Sequence, residues 1–144
     1  MDLIKKLLNE NKWMVENSIT FGDGTVLLLE KVRLNDSAFK IKVKDKTNIE
    51  TLITENYENY SFFDVFKIVK EETITIHVGE GSFGGDGFIY VTNNINNELI
   101  WFAFFDFSNP FMSAILENNQ IIAVTNNDEK WTFSLSNPEV IIIG

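Results

Sequence analysis

Residues Gly79 to Phe111, GEGSFGGDGFIYVTNNINNELIWFAFFDFSNPF, place five of the chain's eight glycines within nine residues and then enter its most apolar segment. Within that segment, Leu99, Trp101, Ala103, Phe105 and Phe107 alternate with Ile100, Phe102, Phe104 and Asp106. Both sets are apolar up to Asp106. A strand that is apolar on both faces has to be covered on both faces, so Leu99 to Phe107 reads as the centre of a layered β structure. The predicted cover is helices on one side and a curled sheet on the other.

The glycines ahead of that strand have the letters of a dinucleotide fingerprint, Gly79-x-Gly81-x-x-Gly84, after a strand-like Thr73 to Val78. The fingerprint binds pyrophosphate only when a helix follows, because the helix amino end supplies the N–H groups and the dipole. Gly85-Asp-Gly-Phe-Ile-Tyr-Val follows instead, a strand pattern that carries Asp86 where a phosphate would sit. The segment reads as a turn requiring several positive φ angles, and no cofactor is expected.

Short strands and turn residues continue on both sides. Leu3, Ile4, Leu7 and Leu8 share one side of a short helix; Lys12 to Thr20 reads as a strand, and Phe21-Gly-Asp-Gly-Thr25 as a hairpin turn into Val26 to Leu34. In Ala38 to Lys44, Phe39, Ile41 and Val43 alternate with Lys40, Lys42 and Lys44, the pattern of an edge strand. Thr47-x-x-Glu50 and Ser61-x-x-Asp64 have the form of capping boxes. They predict one helix through Ile49, Leu52, Ile53 and Tyr57, and another with Phe62, Phe63, Phe66 and Val69 inward. From Thr73 onward seven strands are punctuated by Asn-Asn and Ser-Asn-Pro turns. The expected fold is α+β, one domain over residues 1–144: an antiparallel meander, curled or highly twisted, with two or three short helices in the N-terminal half.

Charge and absences narrow the function. With no cysteine among the 144 residues, disulfides and thiolate chemistry are excluded, and a reducing cytoplasm is the expected compartment. The longest apolar run, Leu99 to Phe105, is seven residues, against about 18 for a membrane-spanning helix. The net charge is −9 and unevenly spread: residues 1–46 hold nine Lys/Arg against seven Asp/Glu (+2), while residues 47–144 hold three Lys against fourteen Asp/Glu (−11). A field of that sign repels nucleic acid and anionic lipid and attracts basic partners. His77 is the only histidine and lies in an alternating strand with Thr73 and Thr75, which reads as a solvated or hydrogen-bonded strand residue. Neither a catalytic residue nor a metal site is expected. Glu50, Glu55 and Glu58 flank Tyr57 and Tyr60, a composition suited to a basic, partly apolar partner.

At Gly84-Gly-Asp-Gly-Phe-Ile-Tyr90, Leu99-Ile-Trp-Phe-Ala-Phe-Phe105 and Ser108-Asn-Pro-Phe111, the chain resembles bacterial immunity proteins of polymorphic-toxin and contact-dependent inhibition systems. The resemblance covers about the C-terminal half. It implies a small cytoplasmic α+β protein that binds a cognate toxin domain and is not an enzyme. The expected function is occlusion of the toxin's active site by an acidic surface. Expected contacts are Glu50, Glu55, Tyr57, Glu58 and Tyr60, with Glu80 and Asp86 on the glycine loop, in a monomer or weak homodimer. Two other readings stand beside it. One is a small-ligand or enzymatic β-rich domain with a pocket at Trp101, Phe104 and Asp106; the other is an assembly subunit that uses an exposed strand edge.

Overall fold

A computed structural model describes residues 2–55 and 60–144. In chain order the elements are α1 (Asp2–Asn9), β1 (Lys12–Met14), β2 (Ser18–Phe21), β3 (Thr25–Arg33), β4 (Phe39–Asn48), α2 (Ile49–Glu55), β5 (Tyr60–Phe62), β6 (Asp64–Lys70), β7 (Ile74–Glu80), β8 (Gly87–Asn93), β9 (Leu99–Phe105), β10 (Phe111–Glu117), β11 (Gln120–Thr125), β12 (Lys130–Ser134) and β13 (Ile141–Ile143). The architecture is α+β and every strand pairing is antiparallel. Among the described residues no helix is long and apolar enough to cross a membrane.

Seven strands form the main sheet in the order β4-β3-β2-β9-β8-β7-β6, which is two meanders joined by the pairing of β2 with β9. β9 therefore sits at the centre, as its two apolar faces require. Its alternate residues enter different cores. Trp101, Ala103 and Phe105 pack with Phe111, Ala114, Ile121, Trp131 and Phe133 of the separate four-stranded sheet β10-β11-β12-β13. Phe102 and Phe104 pack on the other side with Ile4 and Leu7 of α1, Trp13 and Met14 of β1, Ile49 and Leu52 of α2, and Phe63. A register shift at Val91/Thr92 turns Leu99 to the Phe102 side, so it leaves the Trp101 face that strict alternation assigns it.

Three local expectations are corrected by the register. Lys12 to Thr20 is not one strand: β1 pairs with β5 in a two-stranded ribbon, while β2 enters the main sheet. The helix expected after Ser61 does not form, and β5 and β6 occupy that segment. The cap of α2 is Asn48, whose Oδ1 accepts from the Thr51 N–H at 2.9 Å, rather than Thr47. β4 does lie at an edge of the main sheet, with exposed lysines along it. Its alternation is broken by a bulge between the Asp45 and Val43 pairings, which leaves Lys44 unpaired in the ladder. Asparagine supplies most of the left-handed backbone, including Asn118 and Asn119 (φ 51° and 60°), the two central residues of the β10–β11 hairpin.

Candidate functional site

The glycine loop between β7 and β8 is set by space more than by backbone freedom. Only Gly84 among its five glycines has a positive φ (87°). A Cβ on Gly79 would strike the Asp64 carbonyl, one on Gly87 the Asn109 carbonyl, and one on Gly81 the Asp86 carboxylate. Several positive φ angles were expected here; close approach is the larger requirement. The loop leads directly into β8, so no helix amino end is present to receive a phosphate.

Asp86 is fully buried. Its carboxylate accepts from the Gly81 N–H at 3.0 Å and, more distantly, from the Phe83 N–H at 3.4 Å. The expectation that Asp86 offers its charge to a partner is thereby corrected: it is the clamp that closes the loop, because a buried carboxyl group must take its hydrogen bonds from nearby donors. What the clamp displays is Phe83, which is 67% exposed. Ser82 Oγ donates to the Phe62 carbonyl at 2.7 Å and ties the loop to β5, where the Phe62 ring is 61% exposed. Phe62 also receives the Lys12 ammonium at 5.2 Å from its centroid.

Beside these rings, Asp64 of β6 and Glu80 of β7 are cross-strand partners. Like charges directly opposite one another disfavour pairing. No described ion pair relieves either one. Phe62, Asp64, Glu80 and Phe83 thus form a rim of two register-paired carboxylates and two exposed rings, with the Lys12 ammonium over the Phe62 ring.

The expected contact residues separate. Glu80 is in this rim. Tyr60 is half-buried at the start of β5, where desolvation raises its phenol above the usual value. Glu50 and Glu55 are exposed on α2, which packs near β4 at the far edge of the main sheet from β6. Tyr57 and Glu58 lie outside the described residues. Phe62, Asp64 and Phe83 were not singled out by the sequence. Phe62 was hidden by the mistaken helix, and the Asp64–Glu80 adjacency depends on a register no local pattern prints. Phe83 did leave a signal, a large ring isolated among glycine and serine where no alternation could bury it.

A second concavity lies on the helix side of the main sheet. Lys5, Leu8 and Asn9 of α1, His77, Tyr90 and Thr92 of the sheet, and Asn97 line an open cleft of about 260 Å³. Lys5 reaches Glu98 at 3.9 Å on its rim. The His77 and Tyr90 rings are stacked 4.0 Å apart, Tyr90 stacks on Phe102 at 5.1 Å, and Phe102 stacks on Trp13 at 4.0 Å. His77 Nδ1 lies 3.3 Å from the Tyr90 carbonyl, which only accepts, so the proton is on Nδ1. Desolvation lowers the His77 pKa and pushes the Tyr90 phenol up to about 12. His77 is a neutral, stacked ring closing an aromatic row. Around it the described lining offers the Tyr90 ring, the Lys5 ammonium and hydroxyl and amide groups, an arrangement that supports stacking.

The pocket expected at Trp101, Phe104 and Asp106 has no common wall. Trp101 faces the four-stranded sheet and donates its Nε1–H to the Leu135 carbonyl at 2.9 Å. Phe104 faces the helices, and Asp106 is exposed, its N–H donating to Asn17 Oδ1. Among the described residues no group of three or more His, Asp or Glu side chains is placed to hold a metal ion. Set against known proteins, the chain matches no family model, no curated protein and no solved structure.

Proposed function

We propose that this chain is a cytoplasmic, non-enzymatic binding protein that neutralises a basic toxin domain by covering its active site, with the acidic rim of Phe62, Asp64, Glu80 and Phe83 as its contact surface. The observation that carries the reading is the like-charged Asp64–Glu80 pair set beside two exposed phenylalanine rings. Left alone, such a surface is unfavourable twice over, through repulsion and through hydrated apolar area; a partner bearing Lys or Arg around an apolar patch relieves both. The surplus of eleven negative charges in residues 47–144 would steer that partner inward, and Glu50 and Glu55 would add to the field. Against a nuclease toxin the carboxylates would stand in for substrate phosphates, and Phe83, held out by the Asp86 clamp, would supply the buried anchor.

The test is co-expression with a candidate toxin domain encoded by a neighbouring gene. Wild type should protect the cells, and D64K/E80K or F83A should not, while each variant keeps the native circular dichroism. Binding of the purified domain should weaken at least about tenfold between about 0.1 and 1 M salt, as the screening length falls from about 10 to 3 Å. Salt-independent binding, or full protection by D64K/E80K, would sink the proposal.

A further inference from the structure

Trp13, Phe102, Tyr90 and His77 cross the helix side of the main sheet in one row, and successive rings lie within 13°, 7° and 9° of parallel. The row ends at His77. Among the described residues no further ring stacks on it, and the imidazole is partly exposed where it lines the cleft of about 260 Å³. A flat ring entering the cleft can continue the row by one member, which is how aromatic side chains take up bases.

The polar groups at this end narrow the ligand. His77 Nδ1–H is spent on the Tyr90 carbonyl, so Nε2 is left as a hydrogen-bond acceptor. Thr92, half-buried, and Asn9 and Asn97, exposed, add a hydroxyl and two amides, groups that both donate and accept. The charges beside them cancel, because Lys5 stands 3.9 Å from Glu98. An anion would have to part Lys5 from Glu98 in a chain of net charge −9, and a cation would meet the Lys5 ammonium. A neutral ligand meets neither obstacle. Pockets for drug-sized ligands run from about 300 to 1,000 Å³, so this cleft suits one or two fused rings rather than a nucleotide cofactor.

We infer that the cleft between α1 and the β7–β8 strands binds a neutral, flat nitrogen heterocycle of the nucleobase class, stacked on His77 and donating an edge N–H to His77 Nε2. Asn9, Thr92 and Asn97 face the remaining polar edge. The inference does not depend on the toxin-binding rim, since Phe62, Asp64, Glu80 and Phe83 take no part in the cleft.

His77 is the only histidine, so its Cε1–H signal reports this site alone in proton NMR of the full chain. Adenosine should move that signal upfield and saturate with a dissociation constant on the order of 1 mM, as for one stacked base in an open cleft. Benzoate is as flat but anionic and has no N–H to donate; it should bind at least about tenfold more weakly. The Thr92 and Asn97 amide signals carry the comparison into variants that keep the native circular dichroism. H77A should lose at least about tenfold, and H77F, which keeps a ring on Tyr90 but has no Nε2, about three- to tenfold. An unmoved His77 signal at about 10 mM adenosine, benzoate binding as tightly as adenosine, or H77F as tight as wild type would overturn the inference. The two wild-type titrations decide it even where a variant fails to fold.

Discussion

A carboxylate sealed from water depends on whatever donors the backbone brings to it, and Asp86 has the amides of Gly81 and Phe83. Removing it leaves those two donors short of a partner. D86A should therefore lower stability by about 1–3 kcal/mol in urea unfolding, and D86N, which keeps one acceptor, should recover part of it. D86A should also lose affinity for a partner without any change of surface charge, since Asp86 contributes none. An unchanged urea midpoint for D86A would remove the clamp. In the sequence this residue reads as an acid on a turn. Its burial comes from contact with Gly81 five residues back, which composition does not encode.

His77 carries a residue-scale prediction of a different kind. In the unfolded chain its imidazole protonates near 6.5, while in the fold desolvation holds it neutral to lower pH. Between those values the unfolded chain binds the extra proton. Stability should therefore fall as pH drops below about 6.5 and level off once the folded imidazole also protonates. Replacing His77 with Phe keeps a ring on Tyr90 and removes the titration. H77F should thus flatten the dependence of the urea midpoint on pH between about 7 and 5; an identical slope in the variant would assign it to other groups.

At the scale of elements, the failure over residues 61–70 has a definite cause. β6 carries an extra residue, Phe66, between the pairings Val65–Gly79 and Lys67–Val78. The bulge shifts the alternation by one, and Phe63 turns into the helix-side core from the junction of β5 and β6. Apolar residues at 62, 63, 66 and 69 then mimic helical spacing although the chain is extended. Strands without such interruptions were legible almost to the residue, as in Gln120–Thr125. The helix after β4 was legible too, but its cap was placed one residue early. N48A should destabilise the protein by about 1 kcal/mol through loss of the bond to Thr51 N–H, whereas T47A should leave that bond intact and have a smaller effect. Equal losses from both variants would restore Thr47 as the cap.

For the whole molecule, the decisive fact is that the central strands belong to both cores: β8 gives Phe88 and Tyr90 to the helix side and Ile89 and Val91 to the other, and β9 does the same. Phe102 and Phe104 anchor the helices and the β1–β5 ribbon, while Trp101, Ala103 and Phe105 of the same strand anchor the four-stranded sheet. Disrupting β8 or β9 takes apolar partners from both layers at once, so the layers should unfold together. The tryptophans allow this to be measured by layer, because Trp13 reports the helix side and Trp101 and Trp131 the sheet side, all three buried. Trp13 Nε1 has no hydrogen-bond partner among the described residues, so W13F keeps the stack on Phe102 and gives up no described hydrogen bond; it should cost less than an ordinary core truncation. Fluorescence of W13F then follows only the sheet side, and its urea midpoint should coincide with that from far-ultraviolet circular dichroism of the same variant. F105A, at the contact of the two sheets, should lower both midpoints together by an amount equivalent to about 3–5 kcal/mol. If the W13F fluorescence transition instead separated from the dichroism transition, the four-stranded sheet would be a unit of its own, and the shared strands would not make the molecule cooperative.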